Sequence, residues 1–140
     1  MYFRDTGLLC FLLNLDDSTL GASPYVGAVW ETFVFSEMRK LTQQGQRQVN
    51  FWYYRDQRAR EIDFVVEAGG RLSLIECKWW EQLTIGDARH LVAVRDDIAS
   101  SRSHWQAGSS WVIGTPSASY LMAEQVSAGG LRDLRSILQE

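Results

Sequence analysis

Glu61-Ile62-Asp63-Phe64-Val65-Val66, then Ala68-Gly69-Gly70, then Arg71-Leu72-Ser73-Leu74-Ile75-Glu76-Cys77-Lys78 is the stretch whose reading decides the fold. Two apolar runs rich in strand-forming residues flank a glycine pair, the pattern of two strands joined by a tight turn. Upstream, Phe51-Trp52-Tyr53-Tyr54 reads as another strand, its aromatics expected in the core, with stacking on bases as the alternative, and the polar turn Asp56 to Arg60 links it to Glu61. The three predict an antiparallel meander with short connections. Two acids and a lysine sit where apolar strands should not want them: Asp63 in the first run, Glu76 and Lys78 at the end of the second. Burying an unpaired carboxylate is costly, so each needs a cation, a metal or water. Strand alternation sends Glu76 and Lys78 to one face and Cys77 to the other. Pairing through Gly69-Gly70 brings Asp63 near that pair.

Helical periodicity surrounds the meander. Val26, Trp30, Phe33, Val34, Met38 and Leu41 recur at i, i+3, i+4 spacing and predict a helix from Val26 to Gln43, with Gly45 as its stop. Glu31 lies in it beside Trp30. Residues 6–14 read as a short, nearly all-buried helix, and Asp16-Asp17-Ser18 and Gly21 to Pro24 as loops. A helix over Ile85–Ala99 with Leu91, Val92, Val94 and Ile98 inward, a loop from Ser100 to Gly108, a strand over Trp111–Gly114 and a helix over Leu131–Leu138 complete the chain. The expected class is α/β (α+β): the meander plus one further strand in a central mixed sheet, with helices on both faces.

The chain has 140 residues, 46% hydrophobic, with six Trp, six Phe and five Tyr, which excludes a disordered segment and suits one domain over residues 1–140. No run of apolar residues is long enough for a membrane span, and no signal-peptide pattern is present. Cys10 and Cys77 form neither a CxxC pair nor a disulfide framework. A cytoplasmic setting is expected. Net charge is −3, yet Arg39 to Lys78 holds eight basic residues against five acidic, so that segment carries +3 and the remainder −6. Such asymmetry suits a phosphate-facing surface or an ordinary solvated face.

Glu31, Asp63 and Glu76-Cys77-Lys78 follow an acidic helix residue, an Asp on the second core strand and Glu-x-Lys on the third, and the arrangement resembles the PD-(D/E)XK phosphodiesterase superfamily. The order α-β-β-β-α-β resembles that superfamily's restriction-endonuclease-like core. One branch is closer still. Tyr2-Phe3-Arg4-Asp5-Thr6-Gly7-Leu8, Gly27-Ala28-Val29-Trp30-Glu31-Thr32-Phe33-Val34, Tyr54-Arg55-Asp56 and Glu61 to Val66 are similar to the C-terminal domain of unknown function attached to many bacterial and archaeal AAA-type ATPases. The resemblance implies a C-terminal fragment of a longer ATPase, whose N-terminal P-loop region is absent from this chain: no G-x-x-x-x-G-K-[ST] occurs here.

It further implies metal-dependent hydrolysis of nucleic acid, DNA foremost. Mg²⁺ or Mn²⁺ would be held by Asp63, Glu76 and the backbone carbonyl of Cys77, with Glu31 completing the shell, and Lys78 would act on the attacking water or the phosphate. The catalytic set is then Asp63, Glu76, Lys78 and Glu31. Arg55, Arg58, Arg60 and Arg71 are candidate nucleic-acid contacts. Against this stands a relic site, in which Lys78 neutralises Asp63 and Glu76 as a structural ion pair and the domain binds DNA or regulates the ATPase without cleaving. A third reading is a docking module, with the Trp-rich surface meeting a partner or forming a homodimer. Glu61 reads as an exposed strand end. His90 and His104 lack metal-ligand spacing, and one of Trp79 and Trp80 is expected in the core with the other flanking the cleft.

Overall fold

Hydrophobic alternation and turn chemistry build the centre of the molecule. The structure is a computed structural model that describes residues 2–43, 48–102 and 104–139. Strands β1 (Asn50–Arg55), β2 (Glu61–Ala68) and β3 (Arg71–Cys77) form the expected meander. Ala68 pairs with Arg71, so Gly69-Gly70 is a two-residue loop, and both glycines take the positive φ that such a turn requires. Next in the sheet is β4 (Gln106–Ile113), parallel to β3, and the two are joined through helix α3 (Arg89–Ser100), which follows a short 3₁₀ turn over Ile85–Ala88. Two more strands, β5 (Tyr120–Ala123) and β6 (Val126–Gly129), extend the sheet to six in the order β1-β2-β3-β4-β6-β5.

The sheet therefore has three strands beyond the meander rather than the one expected. β5 and β6 are four residues each, and Val126-Ser127-Ala128-Gly129 is dominated by small side chains, so neither shows a period that sequence can register. β4 likewise begins at Gln106, inside the expected loop, because Ala107 to Ser110 are poor strand formers held by pairing with β3.

Two cores lie on opposite faces. Helix α2 (Val26–Gln43), with bounds as expected, and the C-terminal helix α4 (Leu134–Gln139) cover one face, burying Trp30, Val34, Met38, Phe64, Val66, Ile75, Ile113 and Ile137. α3 covers the other with Leu91 and Val94 over Ile62, Leu74, Val112 and Val126. Each large side chain buried this way contributes roughly 1.5–3 kcal/mol.

Helix α1 (Thr6–Leu12) corrects another expectation. It forms, capped by Asp5 Oδ1 accepting from the Leu8 N–H at 3.0 Å, but it is not buried: Phe11 is 79% and Leu12 60% exposed. A helix of about two turns lying on α2 touches the protein on one side only. The aromatic run of β1 is divided too. β1 is an edge strand, so Phe51 packs inward while Trp52 and Tyr53 face solvent. No helix among the described residues is long and apolar enough to cross a membrane. The helix stop expected at Gly45, Arg47 of the basic segment and Ser103 of the loop before β4 lie outside the described residues.

Candidate functional site

One irregularity in β2 aims the site. Trp52 of β1 pairs with Val65, but Tyr54 pairs with Ile62, so Asp63 and Phe64 together oppose Tyr53. This is a β-bulge, and it breaks the alternation of β2: Ile62 and Val65 face the α3 core while Phe64 and Val66 face the α2 core. Asp63 is turned toward the end of β3. There its Oδ2 accepts the Cys77 N–H at 2.8 Å, two residues past the last β2–β3 pair, Phe64 with Ile75.

β3 supplies the next two groups. Alternation puts Glu76 on the face of Leu74, and Lys78 returns to it, its Nζ donating to Glu76 Oε1 at 2.7 Å. Glu76 Oε2 is buried and has no hydrogen-bond partner among the described residues. α2 supplies Glu31 from the other side, where the Tyr2 hydroxyl donates to Glu31 Oε1. Glu31, Asp63, Cys77 and Lys78 line a single cavity of about 480 Å³ with Ser23, Pro24 and Trp80. Trp79 packs against Trp30 with its ring tilted by 59°, and Trp30 itself donates to the Ile113 carbonyl at 3.0 Å; Trp80 is exposed at the rim. The two tryptophans divide as expected.

Crowding of acids in a half-buried place has electrostatic consequences. Burial, then the charge of Glu76, raise the Asp63 carboxyl to about 7, against the pull of the Cys77 N–H and Lys78. Burial also raises Glu76, with Lys78 opposing. Burial works against the Lys78 ammonium, yet the hydrogen bond to Glu76 and its charge lift it above the usual lysine value. The Cys77 thiol is pushed well up by burial and by Asp63, so only its backbone has a use here. Burial and the bond to Glu31 raise the Tyr2 hydroxyl.

This donor set suits a hard divalent cation. Two carboxylates whose ionised forms are disfavoured, a buried orphan oxygen on Glu76 and a main-chain carbonyl are all-oxygen donors, and Mg²⁺ is held by one or two carboxylates plus water and substrate phosphate. Among the described residues no three His, Cys, Asp or Glu side chains form a ready-made cage.

The arginines are distributed unevenly. Arg55 is exposed and pairs with Glu61 at 3.1 Å. Arg58 is exposed in the β1–β2 turn, where Asp56 accepts its N–H. Arg60 is held between Asp56 and Asp97, both at 2.7 Å. These three occupy the end of the sheet that carries Asp63. Arg71 begins β3, about 20 Å from Cys77 at the strand rise, and is not brought to the site. Sequence reasoning missed Tyr2, since nothing local marks an aromatic near the chain start as the partner of an acid on α2.

A family model described as "Domain of unknown function (DUF4143)" matches residues 26–121, which run from the start of α2 into β5 and include Glu31, Asp63, Glu76 and Lys78. Uncharacterized protein Mb2031c of Mycobacterium bovis and Uncharacterized protein Rv2008c of Mycobacterium tuberculosis are each 40% identical to this chain over 72 residues. Those residues are 51% of this chain and 15% of either relative.

Proposed function

The chain belongs to the DUF4143 family, and from that premise we propose that it is a metal-dependent phosphodiesterase module acting on nucleic acid, DNA foremost, with a PD-(D/E)XK-type site on a restriction-endonuclease-like core. The observation that carries this reading is the convergence of Glu31, Asp63, Cys77 and Lys78 on one cavity; Glu76 is not among the residues that line it and is tied to it through its bond to Lys78. The run α2-β1-β2-β3-α3-β4 supports the core assignment. The far greater length of the mycobacterial relatives leaves room for an ATPase region, and we place the domain as the cytoplasmic C-terminal part of an AAA-type ATPase.

Asp63, Glu76 and the Cys77 carbonyl would hold Mg²⁺ or Mn²⁺, with Glu31 beside them. When bound, such a cation polarises the scissile phosphate and lowers the pKa of an attacking water. The protein's own groups do the rest. Lys78, kept charged by Glu76, offers N–H donors to the charge that builds on the phosphate. Glu31, steadied by Tyr2, orients water at the cavity wall. The exposed Arg58 extends positive charge along the same end of the sheet, where Arg55 is paired with Glu61.

A second reading is favoured by the Lys78–Glu76 contact itself: a lysine already spent on its neighbouring acid is what a relic site would show, leaving a non-cleaving DNA-binding or regulatory appendage. Mn²⁺-dependent cleavage of single-stranded, duplex and branched DNA separates the two. The nuclease reading expects cleavage by the wild type and none by Asp63→Ala or Lys78→Ala. Undiminished cleavage by Asp63→Ala sinks it.

A further inference from the structure

A second concavity adjoins the acidic one and has the opposite sign. It is a cavity of about 440 Å³ lined by Tyr2, Phe35 and Gln43 together with Arg4, Arg39 and Lys40. Tyr2 links the two: it lines this cavity, and its hydroxyl donates to Glu31, which lines the acidic one. The tyrosine ring lies 4.8 Å from Phe35 and 5.4 Å from Phe64, so the link is packed rather than loose. The chain carrying Arg4 is fixed as well, since the buried Ser36 hydroxyl donates to the Arg4 carbonyl at 2.8 Å. Lys40 is paired with Glu37. Arg4 and Arg39 have no ion-pair partner among the described residues.

Two unneutralised guanidinium groups on a firm concave surface with aromatic walls match a nucleotide: phosphate on arginine, base against a ring. From Glu31 to Arg39 is eight residues of α2, about 12 Å along its axis. A nucleic-acid strand advances about 3.4 Å per nucleotide in a duplex-like helix, so the two cavities stand about three or four nucleotides apart. We infer that the Arg4–Arg39 cavity is a subsite that grips a phosphate of the same strand whose scissile bond lies over Asp63, and so sets where along the strand the site acts. This rests on the proposed phosphodiesterase reading and names a contact surface separate from Arg55, Arg58, Arg60 and Arg71.

The test reads binding apart from cleavage. A fluorescein-labelled single-stranded DNA oligonucleotide is titrated with protein by anisotropy in EDTA over a series of salt concentrations, using wild type, Arg4→Gln/Arg39→Gln, the conservative Arg4→Lys/Arg39→Lys, and Arg89→Gln. Arg89 is an exposed residue of α3 on the opposite face and controls for the loss of one positive charge elsewhere on the surface. The expected result is at least a roughly tenfold loss of affinity for the Gln pair and a salt slope shallower by about 1.4, near the value for two lost phosphate contacts on a single strand. The Lys pair should retain the slope and Arg89→Gln should match wild type. Equal affinity and slope for wild type and the Gln pair overturn the subsite even if cleavage is intact. So does no binding by the wild type at low salt, and so does capture of the protein by phosphatidylserine vesicles, lost in the Gln pair, without oligonucleotide binding. Absent cleavage with arginine-dependent binding removes the nuclease reading and leaves the phosphate grip standing.

Discussion

Asp63→Asn should stabilise the protein at alkaline pH and lose much of that advantage in acid. Burial and the Glu76 charge hold the Asp63 carboxyl at about 7, whereas the unfolded chain ionises near the ordinary 3.8. Between those values the folded protein keeps a proton that the unfolded chain has released, so stability falls as pH rises through the interval. Each pH unit is worth about 1.4 kcal/mol, which sets an upper bound of about 4 kcal/mol over the whole interval. Glu76 shares the disfavoured charge and the site is only partly closed, so about half of that bound, about 2 kcal/mol, is the working figure. Asparagine never ionises, is nearly isosteric, and can still accept the Cys77 N–H. The assay is thermal unfolding in EDTA at about pH 5 and about pH 8. Only the part of the interval between about pH 5 and about pH 7 is crossed, so the gain from Asn should be larger at the higher pH by about 1.3 kcal/mol, or about 4 °C in Tm for a domain of this size. An equal gain at both pH values, or a variant less stable than wild type at the higher one, refutes the claim that Asp63 is held in its acid form by burial and Glu76.

Three further outcomes are expected. Millimolar Mn²⁺ or Mg²⁺ at about pH 8 should raise the Tm of the wild type, because a cation bound only by the folded site stabilises it by mass action, and should not raise that of Asp63→Asn; equal shifts in both place the cation elsewhere. Lys78→Met leaves Glu76 without its cationic partner and should cost about 1–3 kcal/mol at neutral pH, with the loss shrinking in acid as Glu76 protonates; a loss independent of pH argues against the ion pair. Gly114→Ala would set a Cβ 2.7 Å from the Trp80 carbonyl and 3.0 Å from that of Lys78, so it should destabilise by about 1–3 kcal/mol in chemical denaturation and abolish any cleavage by displacing Lys78; wild-type stability would show that this segment yields freely.

The legible parts of the molecule are those governed by local rules. The period of α2, the glycine pair between β2 and β3, and the alternation that puts Glu76 and Lys78 together depend on neighbours within a few positions, and they appear as read. α1 was legible as a helix but not as an exposed one, because burial depends on what covers a segment, and nothing covers Phe11. Trp52 and Tyr53 make the same point: a strand at the edge of a sheet has the composition of a central one but only half its neighbours.

For the site, the sequence by itself determined the inventory of acids, the lysine and the strand each belongs to, since residue type and period are properties of the chain. Only the tertiary structure decided the rest. The bulge opposite Tyr53 turns Asp63 onto the Cys77 N–H, a choice made by the register between two strands and invisible in either alone. Tyr2 reaches Glu31 across 29 positions, and it links an acidic cavity to a basic one because the N-terminal segment lies over α2. Side-chain identity is written locally, whereas the dielectric, the partners and the direction in which a carboxylate points are set by packing between distant segments.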